Sequence, residues 1–273
     1  MNTVEWVKKQ ELQTGGIRAW ADNEAPYPEV SGYLLPTLWD YGETDLCKRI
    51  AKWLLSIQQR DGGWLGMDGR QHIFDTSAIL QGLKHVYDNT HAVYLIEPMV
   101  KAQKFILNQR TPEGHFRIYP KADDKPRLYT CRTSGILEDR ESINYWLTAD
   151  WFCGEAHQRP HYISYAMEGM RLAGRHEVVI DWLHRMKRAI LPDGFMPFWV
   201  NRNYQAAGST CTTATCQFAI LYWKYDMPEY AVLLRQAAET VLQPDGGLWH
   251  DKEDKRCISW AAKYYLDLCK VMA

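Results

Sequence analysis

The sequence predicts an all-α chain closed into an (α/α)6 toroid of six helical hairpins, and three observations carry that prediction. The first is a closing signal that recurs along the chain. Its fullest copy is Gln58-Gln59-Arg60-Asp61-Gly62-Gly63-Trp64, with weaker copies at Gln13-Thr14-Gly15-Gly16, residues 109–116, Leu191-Pro192-Asp193-Gly194-Phe195 and residues 243–249. The glycines fall at 15, 62, 114, 194 and 246. With Gly154 as a degenerate sixth copy the mean step is about 46 residues, which marks a repeat architecture. The second observation is helical apolar spacing before the turns, clearest at Cys47, Ile50, Ala51, Leu54 and Ile57. The third is a run after each turn, rich in small and apolar residues and poor in charge, as a helix buried all round requires.

The outer helices are expected at residues 2–12, 43–59, 91–109, 138–152, 176–190 and 227–242. The inner ones begin near Glu29, Asp75, Arg132, Ile163, Thr212 and Ile258. The first helix serves as the outer partner that completes the circle. Closure is expected because an open array leaves terminal apolar faces that need polar caps, and neither end reads as a cap. The third unit is the least regular, since Glu138-Asp139-Arg140-Glu141 follows its short inner run almost at once. No linker interrupts residues 1–273, so a single domain is expected.

Composition excludes several classes. At 46% hydrophobic and 24% charged residues the chain reads as an ordinary globular protein. A formal net charge of -1 gives no electrostatic reason for nucleic acid or an anionic membrane as partner. The first nine residues lack the apolar stretch of a signal peptide, and no run of 18 apolar residues offers a membrane span. Seven cysteines without a Cys-x-x-Cys pair fit reduced thiols, hence a cytoplasmic location. There is no Gly-x-Gly-x-x-Gly, P-loop or His-Glu-x-x-His, and no convergent ligand set, so neither a cofactor nor a metal is expected. The 12 Trp, 16 Tyr and 7 Phe serve core packing or line a cavity for sugars or isoprenoids. Oligomeric state is left open.

The segment Trp53-Leu54-Leu55-Ser56-Ile57-Gln58-Gln59-Arg60-Asp61-Gly62-Gly63-Trp64 resembles the QW repeat of squalene and hopene cyclases. By that likeness the chain resembles the terpenoid-cyclase and protein-prenyltransferase toroid superfamily. The resemblance implies that Gln58, Gly62 and Trp64 tie an outer helix end to the next unit; it speaks for architecture and not for chemistry. The superfamily's Asp-x-Asp-Asp acid motif is missing. Asp123-Asp124-Lys125-Pro126-Arg127 lacks a third aspartate, and Asp254 stands one residue too far from Cys257 for the zinc motif. Residues 25–33 and Ile73-Phe74-Asp75-Thr76-Ser77 are also similar to small cyclase-like toroids associated with bacterial surface-polysaccharide genes. They resemble in addition the α/α-barrel domains of glucuronyl epimerases, polysaccharide lyases and six-hairpin glycosidases.

Superposing the six inner-helix starts points to a site without any family. The position before each helix reads Glu29, Asp75, Arg132, Ile163, Thr212, Ile258, and the next reads Val30, Thr76, Thr133, Ser164, Thr213, Ser259. The second column suggests hydroxyl side chains capping the inner helices. The first breaks symmetry: two carboxylates and a guanidinium from consecutive units are expected at one mouth of the toroid. A carboxylate at a helix N-terminus is also favoured by the helix dipole alone. His161, two residues before an inner helix, is the candidate for proton transfer. The catalytic candidates are therefore Glu29, Asp75, Arg132 and His161. Substrate contacts are expected from Trp20, Tyr27, Tyr33, Trp64, His72, Tyr129, Tyr162, Trp199 and Arg202, with His250 at the same mouth. Cys131 and Cys211 also flank helix starts, where a thiolate is physically reasonable.

These features suggest a carbohydrate-active protein, expected to be an enzyme of epimerase, lyase or hydrolase type acting on an oligosaccharide or lipid-linked sugar. Carboxylates serve acid/base steps and sugar rings stack on Trp and Tyr. The alternatives are an isoprenoid cyclase-like or prenyltransferase-like enzyme and a non-catalytic glycan-binding or scaffold toroid.

Overall fold

The computed structural model describes residues 2–273; Met1, the first residue of the expected domain, lies outside them. Outer and inner helices alternate along the chain: α1 (Thr3–Lys8), α2 (Pro28–Asp40), α3 (Thr44–Ile57), α4 (Ile73–Thr90), α5 (Ile96–Leu107), α6 (Cys131–Leu137), α7 (Arg140–Thr148), α8 (Pro160–Leu172), α9 (His176–Met186), α10 (Thr212–Lys224), α11 (Pro228–Glu239) and α12 (Ser259–Val271). The even-numbered helices form the inner ring, each packed on the next, and α12 returns to α2. Helix α1 packs outside α12, so it fills the outer position of the last unit as expected. The join is held by long-range bonds: Ser259 Oγ donates to the Arg18 carbonyl at 2.6 Å and Thr37 Oγ1 to Asp267 Oδ1 at 2.6 Å.

The recurrent glycine signal is one recurrent turn. In five copies the backbone N–H of Leu12, Gln59, Thr111, Leu191 or Gln243 donates to the carbonyl four residues on, at 2.8–2.9 Å. Gly62 shows why the residue type is needed: its φ is +103°, and a Cβ there would lie 2.3 Å from the Lys101 carbonyl oxygen of α5. Gln58 Nε2 donates to the carbonyls of Gly62 and Pro98, tying the turn to α5. The Trp64 indole is fully buried and donates to the Leu54 carbonyl at 2.7 Å. The copy at Gly154 is degenerate in structure too: the Asp150 side chain caps that turn instead, accepting from the Phe152 and Gly154 amides.

Small residues let the inner helices approach closely. A Cβ on Gly82 of α4 would lie 2.2 Å from the Gly32 carbonyl oxygen of α2, and one on Gly135 of α6 would lie equally close to that of Gly169 in α8.

Three expectations need correction. The outer helices are shorter than read, because their ends run into the turns and into short 3-10 segments at Val93–Leu95 and Lys187–Ala189. The hydroxyl column does not cap: none of the six inner helices has a side-chain cap bond. These residues lie within the helices: Ser164 folds its hydroxyl back on the His161 carbonyl at 2.8 Å, and Ser259 donates to the Arg18 carbonyl across the ring closure. Thirdly, the helical ring carries a small antiparallel sheet that the periodicity does not announce. Strand β1 (His157–Gln158) pairs with β2 (Pro197–Asn201), and β2 with β3 (Ala206–Thr210). Among the described residues no helix is long and apolar enough to cross a membrane.

Candidate functional site

All six inner helices begin at the same end of the ring, so their first turns converge. The second residue of each helix is Glu29, Phe74, His161, Thr213 or Trp260 in five units. In the third, α6 continues a 3-10 turn, Leu128–Thr130, whose second residue is Tyr129. These six side chains line one cavity of about 370 Å³. One turn deeper, Tyr165 lines the cavity and its ring stacks at 6.1 Å on that of Tyr33, with Tyr264 beside them; Tyr33 and Tyr264 border the cavity at the opposite end of the ring. Trp20, Tyr27, His72, Asp75, Arg159, Tyr162, Phe198, Cys211 and His250 complete the wall.

The acidic centre is a pair of carboxyls around one phenol. The Tyr27 hydroxyl donates to Asp75 Oδ2 at 2.9 Å and also favours the ionised form of Glu29. Burial pushes Glu29 up to about 7, against the pull of Tyr27 and of the Arg132 charge. Asp75, only 5% exposed, is pushed well above the carboxylate range by burial and then by the charge of Glu29. Neither carboxyl forms an ion pair among the described residues. A single phenolic proton cannot serve two carboxylates, and two like charges in one enclosed space repel. Burial and mutual repulsion therefore disfavour ionising both carboxyls together, and a pair that shares one proton can both give and take it.

His161 faces the same space. Its Nδ1 lies 2.7 Å from Gln217 Oε1, and with that nitrogen donating, Nε2 remains the free basic one. Burial, with the charge of Arg159, lowers it to about 4, so the ring is neutral under physiological conditions. His250 is also lowered by burial, and its ring meets the Trp20 ring edge-on at 5.1 Å. Trp20 is held by Arg256 above its face, 4.2 Å from the ring centre, and packs edge-on against Trp260 at 5.9 Å. His72 is oriented by Asp68, 3.0 Å from its Nε2. Burial keeps Cys131 and Cys211 as thiols, Cys211 with its pKa raised to about 11, which removes the thiolate expectation.

The structure thus brings together Glu29, Asp75, His161, Trp20, Tyr27, His72, Tyr129, Tyr162 and His250. It separates five of the expected residues from them. Arg132 lies beneath the cavity, 4% exposed, its Nε donating to Glu168 at 2.8 Å and one terminal nitrogen to Gln81 at 2.8 Å. It sits over the Tyr33 ring at 4.7 Å and borders a different cavity at the opposite end of the ring, as does Tyr33. The cause is register: Arg132 is three residues past Tyr129, one helical turn deeper. Trp64 is wholly internal and lines no cavity wall here. Arg202 is half exposed and paired with Asp150 at 2.7 Å. Trp199 is displaced rather than lost: it lines an adjoining cavity of about 620 Å³ that shares Tyr129 and Tyr162 with the first. Sequence reasoning missed Arg159, Phe74, Tyr165, Phe198, Thr213 and Trp260. Pro160, immediately after Arg159, was the available signal, since proline favours the first position of a helix.

The chain matches no protein-family model, and no curated protein matches it by sequence. Solved structures do match in fold. An alpha-amylase from Clostridium perfringens superposes with a TM-score of 0.75 at 13% identity, over 100% of this chain and 97% of that one. Cellobiose 2-epimerase from Bacillus thermoamylovorans gives 0.76 at 10% identity, over 97% and 95% of the two chains. An unsaturated glucuronyl hydrolase specific for heparin gives 0.71 at 13%, over 98% and 94%. At these identities the likeness establishes the toroid fold. The terpenoid-cyclase resemblance holds at the level of the toroid class, and nothing matched supports the narrower naming.

Proposed function

We propose that the protein is a carbohydrate-active enzyme in which Glu29 and Asp75 form the proton-transferring pair. The observation that carries this reading is the bridged carboxyl pair in the wall of an aromatic cavity. A hydrocarbon would offer the two carboxyls nothing beyond the single Tyr27 hydroxyl they share, and burying under-satisfied polar groups is unfavourable. Sugar hydroxyls satisfy them, while Trp20, Trp260, Tyr129 and Tyr162 offer faces for the ring. The chemistry these groups suit most directly is cleavage of a glycosidic bond. The protonated carboxyl gives its proton to the leaving oxygen, and the ionised one attacks or activates water. Neutral His161 supplies a second base through Nε2. The adjoining cavity, continuous at Tyr129 and Tyr162, gives room for further sugar units. Neighbours in fold that act on sugars support the reading without specifying a substrate. All seven cysteines are unpaired, which supports a reducing, cytoplasmic setting. A role in making a surface polysaccharide fits the same site.

The test is a panel of oligosaccharides incubated with the protein and with Glu29→Gln and Asp75→Asn variants. Product NMR distinguishes a new reducing end, an unsaturated sugar and an epimer. Turnover of at least one glycan that is lost in both variants is expected. Binding without any turnover would make the protein a lectin-like toroid, and no sugar binding at all would end the reading.

A further inference from the structure

Arg159 is the residue immediately before α8, and among the described residues it is the only lysine or arginine lining the Glu29–Asp75 cavity. Its guanidinium is clamped between aromatic faces: 4.8 Å from the Trp199 ring centre, 4.9 Å from Phe198 and 5.3 Å from Tyr162. Its one side-chain bond is long, 3.5 Å to the Tyr162 hydroxyl, and no carboxylate pairs with it among the described residues. Arg132, one turn deeper in the ring, shows the usual solution for a buried guanidinium, an ion pair with Glu168. Arg159, partly buried, is packed among aromatic rings and has no counter-ion among the described residues.

Aromatic faces fix a guanidinium and leave its N–H edge unused, because the attraction is to the plane and the donors lie in the plane. That edge has the fork geometry that accepts two oxygens of one carboxylate, sulfate or phosphate. Glu29 and Asp75 belong to the same cavity, yet neither reaches it. The charge is felt across the cavity, since it helps to hold both His161 and His250 neutral. It also stands where the inner cavity meets Trp199 of the outer one.

We infer that Arg159 is a specificity-determining residue that recognises an anionic group on the sugar, so that the site takes acidic in preference to neutral glycans. The inference rests on the reading of the cavity as a sugar site. A uronic-acid carboxylate and a sugar phosphate share the required chemistry, two oxygens presented to one guanidinium. Lysine would supply charge without the fork, so the residue type matters as well as its sign.

The experiment measures binding of cellobiose, cellobiouronic acid and glucose 6-phosphate by calorimetry at low and high salt, to the wild type and to Arg159→Gln and Arg159→Lys, with melting curves as the control for folding. The wild type is expected to prefer an acidic probe by about tenfold, equivalent to about 1.4 kcal/mol. High salt should shrink that preference, Arg159→Gln should abolish it, and Arg159→Lys should keep only part. Whichever acidic probe wins identifies the source of the anion. Equal affinity of the wild type for neutral and acidic probes overturns the inference and leaves the sugar site standing. A preference that survives Arg159→Gln in a folded variant overturns it too, and failure to bind any probe removes it together with the reading beneath it.

Discussion

The two ends of the inner ring hold similar residue types and treat them in opposite ways. At the end where the inner helices finish, a cavity of about 240 Å³ is bordered by Arg132, Arg171, Lys224, Lys263 and Lys270 together with Asp40, Glu168 and Asp267. There Arg132 pairs with Glu168, Lys263 with Asp267 at 2.6 Å, and Lys270 donates to the Asp40 carbonyl. Cations near helix C-termini are also what the helix dipole favours. At the end where the helices begin, Glu29, Asp75 and Arg159 are held by neutral groups, a phenol and three aromatic rings. Charges paired within the chain stabilise it; charges positioned but unpaired are free to meet a ligand. Residue type alone does not separate the two; what does is that the buried cations of the lower end, Arg132 and Lys263, are paired, while Arg171 and Lys224 stand nearer solvent.

The largest effect expected from breaking that contrast is catalytic. Glu29→Gln and Asp75→Asn should each lower turnover about 10²–10⁴-fold, the range for loss of a positioned acid or base. Helical circular dichroism should be retained, since neither carboxyl pairs with a structural cation. Turnover unchanged in either variant would place the chemistry elsewhere, His161 being the next residue to replace.

At the opposite end the same kind of change should act on stability. Arg132→Met leaves Glu168 and Gln81 without their donor beneath two tyrosines, and removing one partner of a buried ion pair costs about 3–5 kcal/mol. Urea denaturation should show that loss, and adding Glu168→Gln should recover part of it. A variant that melts normally yet no longer binds sugar would move Arg132 into the upper site and erase the distinction between the two ends.

The same contrast explains what was legible in the chain. The turns were readable because Gly62 and its counterparts at 15, 114, 194 and 246 meet a local requirement, a positive φ packed closely beneath a neighbouring segment, which leaves its mark in five of the six units. The site was readable only in part because its register depends on where each helix starts, to within one residue. The starts were read near Glu29, Asp75, Arg132, Ile163, Thr212 and Ile258; the structural layer is Glu29, Phe74, Tyr129, His161, Thr213 and Trp260. A slip of three residues carried Arg132 from the wall to the layer beneath it. Asp75 survived a slip of one because its neighbour Phe74 and it share the first turn. The β2–β3 sheet, which brings Phe198 and Trp199 to Arg159, has no helical period to betray it.

Acidity offers a quieter check on the carboxyl pair. A Glu29 raised from 4.5 to about 7 means that the folded chain binds this proton more tightly than the unfolded one. Its effect on stability is then favourable at low pH and fades as pH rises from about 4.5 to 7. The melting temperature of Glu29→Gln minus that of wild type should therefore increase across that window and level off above it. His161, lowered to about 4, works in the other direction, adding stability that is lost as pH falls below 6.5 toward 4. The comparison with Glu29→Gln cancels it because both proteins retain the imidazole. A difference that stays flat with pH would mean that Glu29 is an ordinary ionised carboxylate.

The smallest effect belongs to Arg202, which sequence reasoning grouped with the substrate contacts. It borders neither cavity, and its pair with Asp150 is about half exposed on both sides. Water screens such a pair, and ordering two long side chains offsets much of its attraction. Asp150 also accepts the Phe152 and Gly154 amides, so the degenerate turn keeps its cap without the arginine. Arg202→Ala should thus leave both the melting temperature and the preference for acidic over neutral probes within experimental error. Arg159→Gln, one strand away, should change that preference and leave melting alone. If Arg202→Ala instead weakens the acidic probe, the anion is shared between two arginines along the outer cavity. The unpaired charge at Arg159 would then be the inner end of a longer basic track.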